Sequence, residues 1–194
     1  MRILLTSDLH GVEDAFRSFS RALGSDYDVG VIAGDLLDDQ LSETDLSLLT
    51  RLRDQPSAIG QALAAKEARI DLKSITIGGV SFVGYGCISR ALGPDLQMAS
   101  LQEIENFVDE KTILVTHIPP RGTLDLKSDN GHLQSFGSGI LADLVAAKKP
   151  RFHFFGDAHD SVGVRGTSIN ASYPLVSSFC GADTETGDIW TERA

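Results

Sequence analysis

Short apolar runs recur along the chain, each closed by a polar or glycine-bearing break, and that alternation predicts its elements. Arg2 to Thr6 predicts a buried strand. Val12 to Leu23 predicts a helix with Phe16, Phe19 and Leu23 on one face and Gly24 as its stop. Asp28 to Ala33 reads as a second apolar strand. Thr44 to Arg53 and Ser57 to Ala68 read as helices parted by Pro56. Ser74 to Ile77 and Val80 to Tyr85 flank Gly78-Gly79, and a two-glycine turn between β-branched runs predicts a hairpin. Ser100-Leu101-Gln102-Glu103 is a capping box opening a helix to about Glu110. Thr112 to Thr116 is the next strand, and a long polar loop follows it. A helix over Ser138 to Lys148 then precedes a strand over Phe152 to Phe155. The tail carries glycine-punctuated β runs at Gly163–Val164, Thr167–Asn170, Leu175–Phe179 and Ile189–Thr191. Helix-separated strands in the first part predict parallel pairing, whereas the hairpin and the β-rich tail predict a second, mixed or antiparallel sheet. The layered solution is an α/β fold, a four-layer αββα sandwich of two packed mixed β-sheets flanked by helices.

Four polar islands close these apolar runs: Asp8-Leu9-His10, Gly34-Asp35, Thr116-His117 and Gly156-Asp157-Ala158-His159. A parallel sheet gathers the carboxyl ends of its strands along one edge, so residues far apart in sequence can meet in one crevice. Side chains two apart on an extended segment point the same way. Asp8 and His10 can therefore clasp one ion, Asp157 and His159 repeat the arrangement, and Asp35 and His117 each end a further strand. A mixed oxygen and nitrogen donor set suits Mn, Fe or Zn better than Ca or Mg alone. Two divalent ions in such a crevice can hold a hydroxide as nucleophile and grip a phosphoryl group. For His117 the alternative is an ordinary loop histidine, and for Asp157 a supporting or solvated carboxylate.

Composition narrows the class. The 194 residues fit one domain, 1–194, and the apolar (42%) and charged (23%) fractions are those of a water-soluble globular protein. A formal charge of −10 argues against general nucleic-acid binding, which needs a basic stripe. No apolar run approaches the length of a membrane span, and the N-terminal residues do not read as a signal peptide. Cys87 and Cys180 form no CxxC pair and read as buried free thiols of a cytoplasmic protein.

In this order, the islands resemble the calcineurin-like metallophosphoesterase superfamily, whose signature runs D-x-H, GD, GN-H-D/E, a strand-end His and GH-x-H. The resemblance covers essentially the whole chain. Thr116-His117-Ile118-Pro119-Pro120 resembles the H-x-P-P segment of small bacterial and archaeal phosphodiesterases and related brain proteins, and Ile169-Asn170-Ala171-Ser172 their strand after the site. The resemblance implies a metal-dependent phosphoesterase, acting on a small phosphate ester or nucleotide, with Asp8, His10, Asp35 and His159 on one metal and Asp35, His117 and Asp157 on a second. A homodimer stays open.

The chain departs from that pattern twice. No Asn and no His occur between Asp35 and Asn106, so the GN-H block is missing, with the family's second-metal Asn and leaving-group His. Asp38, Asp39 or Gln40 stand as replacement ligands, and His132 in the long loop as a replacement proton donor. Asp157 stands where the family has a His, which adds a negative charge, hardens the site toward Mn or Mg and weakens its hold on an anion. These departures imply a slowed enzyme, and they keep a second class open: a metallophosphoesterase-fold binding scaffold. Among the remaining candidates, His153 reads as a packed sheet histidine and Asn170 as a structural residue near the site. Gly137-Ser138-Gly139 reads either as a phosphate cradle or as tight packing.

Overall fold

The first apolar run, Arg2–Thr6, forms strand β1, and its fate organises one half of the molecule. This computed structural model describes residues 1–34, 70, 72–85, 101–172 and 178–193. The predicted helices at Thr44–Arg53 and Ser57–Ala68, the cap residue Ser100, and Asp35, Asp38, Asp39, Gln40 and Cys87 lie outside them. Alternate residues of β1 face opposite sides. Ile3 and Leu5 enter one buried cluster and Leu4 enters another. Helix α1 (Glu13–Asp26) sets Phe16 and Phe19 against Leu4, closing the outer face. It runs past Gly24, the predicted stop. An exposed glycine inside a helix costs only about 1 kcal/mol, and the chain leaves the helix at extended Tyr27 instead.

Strand β2 (Val29–Ile32) pairs parallel with β1. The predicted glycine hairpin is present as β3 (Lys73–Ile77) and β4 (Val80–Tyr85), with Gly78 and Gly79 both at positive φ. A segment at 101–105 is helical and ends earlier than the capping box predicts. Beyond it, Thr112 Oγ1 donates to the Phe107 carbonyl and turns the chain into β5 (Ile113–Thr116). The long polar loop is not irregular. It contains a hairpin, β6 (Leu126–Asp129) and β7 (His132–Ser135), closed by Asn130-Gly131 with both residues at positive φ. Helix α2 (Gly139–Lys148) follows, capped by Ser138 Oγ accepting from the Leu141 amide. Strands β8 (Phe152–Phe155), β9 (Gly163–Arg165), β10 (Ser168–Asn170), β11 (Ser178–Asp183) and β12 (Ile189–Arg193) complete the described elements.

The four-stranded sheet has the order β12-β11-β1-β2 and the six-stranded sheet β3-β4-β5-β8-β10-β9. The predicted partition of strands is corrected here. The β3–β4 hairpin joins parallel β5 and β8, and the tail divides, β9 and β10 entering the large sheet while β11 and β12 flank β1. Both sheets are therefore mixed. Between them lies a core that includes Ile3, Leu5, Phe82, Ile113, Phe152, Phe154 and Ile169. Val83, Leu114, Leu141 and Leu144 seal the far face of the large sheet under the helical segment and α2. Helix, sheet, sheet, helix is the four-layer α/β sandwich. No helix among the described residues is long and apolar enough to cross a membrane.

Candidate metal centre

Strands β1, β5 and β8 each end in a residue with metal-ligating capacity, because all three belong to parallel pairs and their carboxyl ends point one way. β1 runs into Asp8 and His10, β5 into His117, and β8 into Asp157 and His159. Two backbone bonds tie the strand ends together: Ser7 N–H donates to the Ala171 carbonyl across the two sheets, and Asp8 N–H to the Gly34 carbonyl just past the neighbouring strand β2, both at 3.1 Å. Asp35, the next residue, lies outside the described residues.

Asp8 is the hub, 1% exposed and held from several sides. Its Oδ2 accepts from Ser7 Oγ (2.6 Å), Ser172 Oγ (2.8 Å) and the Asp157 amide (3.0 Å). Its Oδ1 faces the imidazoles, with His159 Nε2 at 3.0 Å and His10 Nε2 at 4.0 Å. Burial pushes the Asp8 carboxyl upward. The Ser7 hydroxyl, the pull of His117, and bonds from His159 and Ser172 outweigh it, so the group lies below the ordinary 3.8 and is ionised. Asp8, His10 and His159 offer ligand atoms that all lie within 4.8 Å of one another. The two imidazole rings sit edge to face, centroids 5.6 Å apart. One carboxylate and two imidazoles form a donor set that fits a divalent ion.

The backbone is bent to make this group. Asp8 (φ 57°), His10 (φ 46°) and Asp157 (φ 63°) all adopt the left-handed conformation. Such positions cost about 1–3 kcal/mol each and persist where surroundings over-determine them, commonly at working sites. Two glycines allow the approach. A Cβ on Gly34 would collide with the His117 ring at Nδ1, and one on Gly156 would collide with Ser7 Oγ and Asp8 Oδ2.

His117 is 5% exposed. Its Nδ1 lies 3.0 Å from the Ala33 carbonyl, which can only accept, so Nδ1–H donates to it and Nε2 is left facing Asp157. That Nε2 is 4.0 Å from Asp157 Oδ1. Asp157 also receives Lys127 Nζ at 2.5 Å. Lys127 is a residue that reading the sequence passed over, because it sat in what looked like a polar loop. The Asn130-Gly131 pair was the signal that could have placed it on a strand.

The remaining predicted residues divide. His132 is exposed on β7, on the same face of the hairpin as Lys127 but nearer its tip, and among the described residues no contact joins it to the cluster. His153 is fully buried in β8, as a packed sheet histidine should be. Asn170 does more than fill a strand. Its Nδ2 shares two hydrogens among the carbonyls of Leu124, Ala158 and Ser161, and its Oδ1 accepts from the Ser172 amide and lies 2.9 Å from the Ser172 hydroxyl. It thereby positions both the His159 turn and the serine that grips Asp8. Gly137 is a packing glycine. A Cβ there would meet the Arg121 backbone at 2.6 Å, and its amide already serves Asp125 Oδ2 at 3.2 Å, so it is not a free anion cradle.

No family model matches the chain. UPF0046 protein K07C11.7 of Caenorhabditis elegans is 31% identical over 107 residues, 52% of this chain. The match spans 36% of that relative's length. One crystal structure superposes at a TM-score of 0.73 and 12% identity, over 99% of this chain and 98% of the other. The crystal structure of TT1561 of Thermus thermophilus superposes at 0.64 and 16% identity, with the same coverage. Whole-chain agreement of this kind decides the architecture. The chain shares the fold of these two structures. Within that fold, Asp8, His10 and His159 form a group that could hold a metal ion among the described residues.

Proposed function

We propose that this chain is a metal-dependent phosphoesterase of the cytoplasm, acting on a phosphodiester of a small molecule or nucleotide. The observation that carries this reading is the buried Asp8 carboxylate, oriented by Ser7, Ser172 and the Asp157 amide so that Oδ1 faces two imidazoles. His159 Nε2 and Asp8 Oδ1 are 3.0 Å apart, and a cation that both ligate takes the place of the proton between them. Mn is the ion we favour, with Fe or Zn as alternatives. Such an ion supplies Lewis acidity toward a phosphoryl oxygen and acidifies water for attack on phosphorus.

The chain's own residues do the rest. Asp8, His10 and His159 hold the ion, with Asp35 as the further ligand proposed from the sequence. His117, fixed by Ala33, aims Nε2 beside them. A phosphodiester carries one negative charge where a monoester carries two, and a protein of net charge −10 repels it less. The GN-H block is missing from the sequence and His132 makes no contact with the cluster, so good leaving groups should be turned over best. The test is hydrolysis of bis(4-nitrophenyl) phosphate by the purified chain with added Mn, beside Asp8→Asn. Saturable turnover that Asp8→Asn abolishes supports the reading. Turnover equal in both proteins, or none in either, overturns it.

A further inference from the structure

We infer that the Lys127 ammonium is a built-in cation at the second half of the centre, so that the site takes one divalent ion rather than two. This rests on the metal-dependent phosphoesterase reading. Among the described residues the second half consists of His117 Nε2 and Asp157 Oδ1, 4.0 Å apart, and the Asp157 amide contacts both oxygens of Asp8, so it directly adjoins the first half. Lys127 Nζ lies 2.5 Å from that Asp157 oxygen, so the ammonium competes directly with a divalent ion for this carboxylate.

The lysine is aimed, not stray. On β6 the residues on either side of it are pinned to the turn that carries His159. Leu126 N–H donates to Ser161 Oγ (3.0 Å), Ser161 Oγ donates back to the Leu126 carbonyl (3.1 Å), and Ser128 N–H donates to Asp160 Oδ2 (2.7 Å). These bonds are made by the backbone of β6 on either side of Lys127, and they hold in place the strand from which its side chain reaches Asp157. Two short clamps thus fix the root of a side chain whose tip rests on Asp157.

The charges balance. An aspartate in place of an imidazole adds one negative charge, and the ammonium restores it. An ammonium has three donors, and the one spent on Asp157 leaves two for a phosphoryl oxygen. A divalent ion on the same oxygen would have to displace this ammonium or share the carboxylate with it.

The test counts ions. The full chain, Lys127→Met and Lys127→Arg are dialysed to equilibrium against Mn, and bound metal per chain is measured by mass spectrometry. The expected result is one ion for the parent, two for Lys127→Met and one for Lys127→Arg. Two ions on the parent, or one on Lys127→Met, overturns the lysine assignment and leaves the phosphoesterase reading standing. No ion on the parent overturns both. Because Lys127 is a partly exposed residue of a surface hairpin, circular dichroism of the two variants checks that the fold is unchanged.

Discussion

His153 makes the protein acid-sensitive in a way that a single substitution should remove. It is 0% exposed, and its Nε2 lies 2.9 Å from Thr116 Oγ1. Thr116 gives its own proton to the Ile118 carbonyl at 2.8 Å, so the hydroxyl oxygen accepts from Nε2–H and Nδ1 is left as a lone pair with no hydrogen-bond partner. Burial without a compensating partner pushes the imidazole from 6.5 down to about 3. The unfolded chain therefore takes up the proton first as pH falls. The contribution is complete above pH 6.5 and drains away between there and about 3. At pH 5 the unfolded state has titrated through about 1.5 units, a loss of about 2 kcal/mol at 1.36 kcal/mol per unit. Any folded-state value below about 4 gives the same figure, so the magnitude does not hang on the depth of the shift. The assay is urea unfolding followed by the fluorescence of Trp190, whose indole N–H bonds Tyr27, at pH 7 and pH 5. Other groups titrate too, so the quantity of interest is the difference between the parent and His153→Leu. The parent should lose about 2 kcal/mol more than the variant over that interval. Equal losses would refute the buried neutral imidazole.

Four further outcomes follow from the same geometry. Asn170→Ala strands three carbonyls and frees Ser172. It should cost about 3 kcal/mol by chemical denaturation and weaken Mn binding at least tenfold by titration calorimetry. His10→Gly removes a partly exposed ring from a left-handed position that glycine adopts freely, so the metal-free variant should be at least as stable as the parent while its Mn affinity falls. Added Mn at 100 times its dissociation constant should stabilise the chain by about 2.7 kcal/mol in a thermal melt, and Asp8→Asn should erase that gain. Burial pushes Asp125 up, but bonds from Ser135 and from the Gly122 and Gly137 amides hold it below the ordinary 3.8. Its contribution is present above 3.8 and lost as pH falls through the lower folded value, so Asp125→Asn should flatten the acid limb of a denaturation curve below pH 4.

The layers were legible because apolar periodicity reports directly which side of a strand is buried, and β1, β5 and β8 matched their apolar runs to within a residue. The ordered islands located Asp8, His10 and His159 because strand ends in parallel pairs converge whatever lies between them. Sheet membership was less legible. The partners of β9 to β12 are chosen by long-range packing, and local pattern carries no trace of it. The β6–β7 hairpin escaped notice because its strands are mostly exposed and so lack apolar alternation; only the Asn130-Gly131 turn marked it. Lys127 vanished with that hairpin. Ser7 and Ser172 escaped for another reason. Nothing in a serine's neighbours tells whether its hydroxyl will meet a carboxylate donated from elsewhere in the chain.

Gly34 and Gly156 carry no chemistry, yet a saturation scan of this gene should find them as unforgiving as the histidines they adjoin. Any side chain at either position would occupy space already held by His117 or by Ser7 and Asp8. Tolerance maps would score both as though they took part in turnover. They are better understood as reserved volume, an intolerance set by geometry and not by any group they supply.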